Sequence, residues 1–128
     1  MPIEFSNPEG APVPAGGYSQ AALVHGASRR LVVSGQVGLR PDGSVPEDAA
    51  AQIDQTLANL GAILAAHGMG PGHLVKMSVF LTDAALIGAW RTARSGFLGV
   101  HRPASTLLVV AALADPRFLV EVEAEAAD

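Results

Sequence analysis

The chain has 128 residues, 49% of them hydrophobic and only 5% aromatic, so a single domain over residues 1–128 can bury a core made mainly of Leu, Val, Ile and Ala. Eight Lys plus Arg against twelve Asp plus Glu give a formal net charge of −4, with no basic stripe to track a phosphate backbone, which argues against a nucleic-acid partner. There is no cysteine for a disulfide or thiolate metal site, no apolar run of the ~18 residues a membrane span needs, and no signal-peptide pattern at the N-terminus, so a cytoplasmic location is expected.

Residues 1–17 are rich in Pro and Gly and read as an ordered loop or arm. Ala21–His25 and Arg30–Val37 read as strands joined as a hairpin at Gly26-Ala27-Ser28. Residues 46–67 form the first expected helix, with Ser44 and Glu47 at capping-box spacing and Pro46 in the first turn. Its apolar stripe is Ile53, Leu57, Leu60 and Leu64, and Gly68 stops it. The following Gly68-Met-Gly-Pro-Gly72 lacks the ending of a phosphate loop and reads as a turn. Leu74–Leu81 is a strand. Asp83 caps a second helix over 84–98, with Leu86, Trp90, Ala93 and Phe97 as its stripe. Ala104–Leu113 and Phe118–Ala126 complete a ββαβαββ order, an α+β fold with a mixed sheet and both helices on one face.

Two helices cover one face of such a sheet, yet strands 74–81 and 104–113 are apolar on both: Val75, Met77, Val79 and Leu81 against Leu74 and Phe80, and Leu107 and Val109 against Leu108 and Val110. A second copy of the chain is the expected cover. In the last strand Phe118, Val120, Val122 and Ala124 point toward the helices, while Leu119, Glu121, Glu123 and Glu125 point to the uncovered face. Those carboxylates are either solvated near a sheet edge or, beside a subunit interface, available for acid/base work.

Gly17-Tyr18-Ser19-Gln20, Leu31-Val32-Val33-Ser34-Gly35-Gln36, Val79-Phe80-Leu81-Thr82-Asp83, Arg102-Pro103-Ala104 and Val120-Glu121-Val122-Glu123-Ala124 stand in one order over nearly the whole chain. Together they make it resemble the RidA (YjgF) family of enamine/imine deaminases. The resemblance implies a chorismate-mutase-like fold, a mixed sheet with two helices on one face, assembled as a homotrimer with small-molecule sites in clefts between subunits and no cofactor or metal. It also implies hydrolysis of 2-imino acids to 2-keto acids and ammonia. Glu121 then positions or activates water as the catalytic group, and Tyr18, Ser34, Gly35 and Gln36 line the cleft. An imine carbon is already electrophilic, so one placed water and one acid/base group suffice.

The family's carboxylate-clamping arginine, expected directly after Pro103-Ala104, is absent: Ser105, Thr106 and Leu107 follow, and no basic residue lies between Arg102 and Arg117. A charge-assisted contact of roughly 1.5–3 kcal/mol is thereby lost, about ten- to a hundredfold in affinity for a small imino acid. Arg91, near a cleft position of the family, is the candidate replacement; otherwise it is a solvated helix arginine, and Arg29-Arg30 and Arg91/Arg94 are short basic pairs of the kind found on solvated surface. Two functions stay open. One is a hydrolase of the imine/enamine type whose substrate lacks the usual 2-imino acid carboxylate, with Ser105, Thr106 and Leu107 contacting it. The other is a non-catalytic ligand-binding or regulatory trimer. An endoribonuclease, a name attached to parts of the family, fits poorly with an acidic chain. His25, His67, His73 and His101 are scattered outside any metal motif. Ser34 sits inside a strand with no following helix, so it is a lining residue and not a nucleophile elbow.

Overall fold

The elements of the computed structural model, which describes residues 2–14 and 16–128, are β1 (Ile3–Ser6), β2 (Ala21–Val24), β3 (Arg30–Val37), α1 (Ala49–Ala66), β4 (Leu74–Leu81), α2 (Ile87–Leu98), β5 (Ala104–Val109) and β6 (Val120–Ala127). Met1 and Ala15, within the expected N-terminal arm, lie outside the described residues. Four strands form a mixed sheet in the order β3-β6-β4-β5. β6 is antiparallel to both neighbours, and β4 and β5 are parallel, joined by the α2 crossover. The fold is α+β, as expected from the pattern of elements.

The helical stripes behave as their spacing predicts. Ile53, Leu57, Leu60 and Leu64 of α1 are buried against Val33, Met77, Val79, Val120, Val122 and Ala124 of the sheet. Trp90 of α2 is buried in the same core, with Leu86, Ala93 and Phe97 packed at its margin. Gly68 and Gly99 end the helices with φ of 71° and 59°, conformations that cost other residues strain.

Four local expectations are corrected. Residues 21–37 are not a hairpin: β2 pairs with β1, in register Ile3 to Val24, while β3 pairs with β6. The arm therefore holds a strand, whose four residues are too short a period-two signal to stand out among Pro2, Pro8 and Gly10. The last strand is no edge strand; it lies between β3 and β4 and is bonded on both sides. The capping box at Ser44 and Glu47 does not form. Ser44 instead closes a turn, donating its hydroxyl to Asp42 Oδ1 at 2.6 Å and its carbonyl accepting from Arg40 N at 2.9 Å, while Asp48 caps α1 by accepting from Ala51 N at 3.0 Å. Finally, a bulge between Leu74 and Lys76 breaks the parity of β4, so Leu74 is buried with Met77, Val79 and Leu81.

Gln52, fully buried on α1, ties the helix to the chain entering β6. Its amide donates to Pro46 O at 2.9 Å and Arg117 O at 2.8 Å, and its oxygen accepts from Leu119 N at 3.0 Å. Removing it strands buried backbone groups. Gln52→Ala is expected to lower stability by about 2–4 kcal/mol, measured by chemical denaturation at fixed protomer concentration.

Candidate active site

Two groups of candidate residues emerge, at opposite edges of the sheet. The first surrounds the start of β5. Ser19 docks the 16–20 segment on this edge: its hydroxyl donates to Arg102 O at 2.5 Å, its N–H donates to Pro103 O at 3.1 Å, and it bridges Ala104 in parallel. That contact brings Tyr18 beside α2. Ser105 and Leu107 are in register with the core residues Met77 and Val79, so they face the helix layer. The result is a cavity of about 200 Å³ lined by Gly16, Tyr18, Trp90, Arg91, Arg94, Ser105 and Leu107.

Arg94 is the residue that sequence reasoning left on the surface. It follows Arg91 by three positions, which puts both on one face of the helix. Burial lowers the proton affinity of its guanidinium, and the positive charges of Arg102 and Arg91 lower it further. Its Nη2 and the Arg102 Nε lie 2.9 Å and 3.3 Å from the point a Cβ on Gly17 would occupy. Gly17 is thus the space into which two guanidinium groups converge. Thr106 points the other way; its Oγ1 accepts from Lys76 Nζ at 2.7 Å on the open face.

The second group lies at the β3–β6 side. A bulge between Val33 and Gln36 exposes Ser34 and Gly35, and Gln36 Nε2 donates to Ser34 O at 3.0 Å. Glu121, opposite Phe80 on the open face, lays its side chain across Gly35: a Cβ there would meet Oε2 at 2.5 Å and Cγ at 3.1 Å. Of its neighbours on the strand, Glu125 pairs with Arg30 at 2.9 Å and Glu123 is exposed. Within one chain the two groups do not meet. β6 and β5 are separated by β4, roughly 10 Å at the usual inter-strand spacing, and Glu121 and Ser105 face opposite sides.

The histidines are engaged elsewhere. His25 pairs with Glu4 at 3.0 Å, the His101 ring contacts Leu74 O at 2.8 Å and Phe5 edge-on, His67 contacts Ile63 O, and His73 Nδ1 accepts from Gly70 N. No helix among the described residues is long and apolar enough to cross a membrane.

A family model described as endoribonuclease L-PSP matches residues 8–128. The chain is 39% identical over 117 residues to the 2-iminobutanoate/2-iminopropanoate deaminase of Mus musculus, covering 89% of this chain and 83% of that protein. To the enzyme of the same name from Escherichia coli K12 it is 34% identical over 122 residues, 92% and 91% of the two chains. Among solved structures, the Rid-family protein YyfB from Yersinia pestis superposes with a TM-score of 0.88 at 30% identity, covering 99% of both chains.

Gly35 tests the fit around the carboxylate. Gly35→Ala is expected to swing Glu121 off the bulge and to cost about 1 kcal/mol from overpacking. The double variant Gly35→Ala/Glu121→Ala should recover that cost in a double-mutant cycle, with a crystal structure of the single variant showing the displaced carboxylate.

Proposed function

The chain belongs to the endoribonuclease L-PSP family, that of the RidA (YjgF) proteins, and we propose on that footing that it hydrolyses small imines or enamines in clefts between copies of itself. The observation that carries this reading is the separation of the two residue groups. Ser34, Gly35, Gln36 and Glu121 sit beside the outer edge of β3, and Tyr18, Arg91, Ser105 and Leu107 sit beside the outer edge of β5, whose start is met by Ser19. A head-to-tail contact joins two different surfaces and closes into a ring when the rotation allows. Such a contact sets one copy's Glu121 against the next copy's Ser105. A homotrimer, the assembly implied by the RidA resemblance, contains three such clefts. The open sheet face supports self-association as well: Val32 is 65% exposed and Leu108 49% exposed in the single chain, beside the half-buried Phe80.

Glu121 forms no salt bridge among the described residues and lies against the Gly35 bulge, which leaves its carboxylate available to orient water and move a proton. Ser105 offers the substrate a neutral hydroxyl where a guanidinium is expected. The preferred substrate is therefore not a standard small 2-imino acid. The net charge of −4 and the small size of the cavity favour a small molecule over the RNA that the family's description names.

The assembly is tested by light scattering at micromolar concentration, where the mass of three chains is expected and the mass of one would remove the composite cleft. The chemistry is tested with 2-imino acids generated in situ by an amino-acid oxidase, following keto-acid release. Wild type is expected to be slow on monocarboxylic imines, Ser105→Arg to gain about ten- to a hundredfold, and Glu121→Gln to lose about a hundredfold or more on the best substrate. Unchanged turnover in Glu121→Gln removes its role. Silence of every variant, with a tight ligand recovered intact, favours a non-catalytic binding trimer.

A further inference from the structure

Three of the eight basic side chains, Arg29, Arg30 and Arg117, form salt bridges, with Asp128, Glu125 and Asp115. Of the others, Arg91 and Arg94 line the cavity beside Tyr18, Arg102 brings its Nε to Gly17 next to Arg94 at the cavity margin, and none of the three is in a salt bridge among the described residues. In a chain with a net charge of −4, this is a concentration of unneutralised positive charge in one place. Like charges brought together repel, and a partly buried guanidinium loses hydration, so the arrangement costs free energy unless an anion enters.

The geometry is that of a receptor. Arg102 is anchored by its Nη1, which donates to Gly99 O at 2.6 Å and His101 O at 3.1 Å, and its Nε approaches Arg94 Nη2 over Gly17. Gly17 and the Ser19 contacts with Arg102 O and Pro103 O hold the 16–20 segment close to both arginines. Tyr18 and Ser105 add polar residues to the wall, and Leu107 and Trp90 add apolar ones. A volume of about 200 Å³ is below the ~300–1,000 Å³ of drug-sized sites and suits a small acid.

We propose that Arg91, Arg94 and Arg102 form an anion pocket that selects oxo- or imino-acid ligands carrying a second anionic group. The inference rests on the reading of this cavity as one wall of the ligand cleft, and names the substrate class of that site. A single carboxylate neutralises one guanidinium and leaves two; a ligand with two anionic groups engages the cluster more fully, and the planar forks favour bidentate contacts to carboxylate or phosphate oxygens. The site differs from a clamp at position 105 in lying on α2 and on the turn before β5.

Calorimetric titration of the 128-residue chain at constant ionic strength, with 2-oxobutanoate, 2-oxoglutarate and inorganic phosphate as probes, tests it. 2-Oxoglutarate is expected to bind at least about tenfold more tightly than 2-oxobutanoate. Arg94→Gln should abolish the preference. Arg91→Gln, at an exposed position where folding is not at stake, should reduce it severalfold. If phosphate binds with this arginine dependence and 2-oxoglutarate does not, the arginines bind anions but the selection of dianionic oxo acids is overturned. Equal affinities for the two oxo acids without arginine-dependent phosphate binding, or a preference that survives both substitutions, overturns it. Titration reads binding alone. Preference without turnover of any imine removes the hydrolase and keeps the pocket; turnover of imines without preference does the reverse.

Discussion

The position of β6 between β3 and β4 is the constraint from which the rest follows. A strand bonded on both sides has no freedom to slip, and its period-two alternation assigns each residue to a face. Val120, Val122, Ala124 and Ala126 are buried beneath the helices, so Glu121, Glu123 and Glu125 must stand on the other side. The small side chains at 124 and 126 leave room for Leu60 and Leu64 of α1 to reach the sheet. Apolar packing on one face therefore determines where the carboxylates stand on the other, and the bulge at Ser34-Gly35 then decides which of them lies along the edge.

A one-sided helix layer leaves an open face and two open edges. An isolated sheet with Val32 and Leu108 exposed and an outer edge along β3, and along β5 beyond the Ser19 bridge to Ala104, is prone to associate. In the proposed assembly, closing a ring would cover both edges at once, and the same closure would bring the Glu121 group of one copy to the Ser105 group of the next.

How much of this was legible in the sequence depended on range. The stripe of α1, the stripe of α2 and the alternation of β6 depend on neighbours within a few residues, and each shows in the pattern. The strand partners do not. Pairing of β2 with Ile3–Ser6, or of β6 with β3 and β4, depends on contacts far apart in sequence, and a Gly-containing turn between two strands looks the same whether or not they pair. The capping box failed for a related reason: Ser44 has Arg40 and Asp42 as nearer partners in a turn, and Asp48 is free to cap in its place. At the cavity, the spacing of Arg91 and Arg94 was visible, whereas the approach of Arg102 and the 16–20 segment was not, because it depends on the docking of Ser19 at the edge of β5.

Moving positive charge from a strand to a helix changes what it can select. A side chain at position 105 stands on the sheet, and in the proposed cleft an arginine there would hold a carboxylate directly beside the carbon that Glu121 of a neighbouring copy addresses. Arg91 and Arg94 reach the cavity from α2, one layer away from the sheet, and Arg102 approaches from the turn before β5. An anionic group bound by these three is set back from the strand. For the imine carbon still to reach Glu121, a spacer must separate it from that group. Under the proposed reading, a ligand with its second charge at the far end of a short chain meets this requirement, while a compact monocarboxylic imino acid must choose between the arginines and Glu121. Specificity would then come from the distance between two charges, which Ser105 permits by leaving the strand position neutral and small.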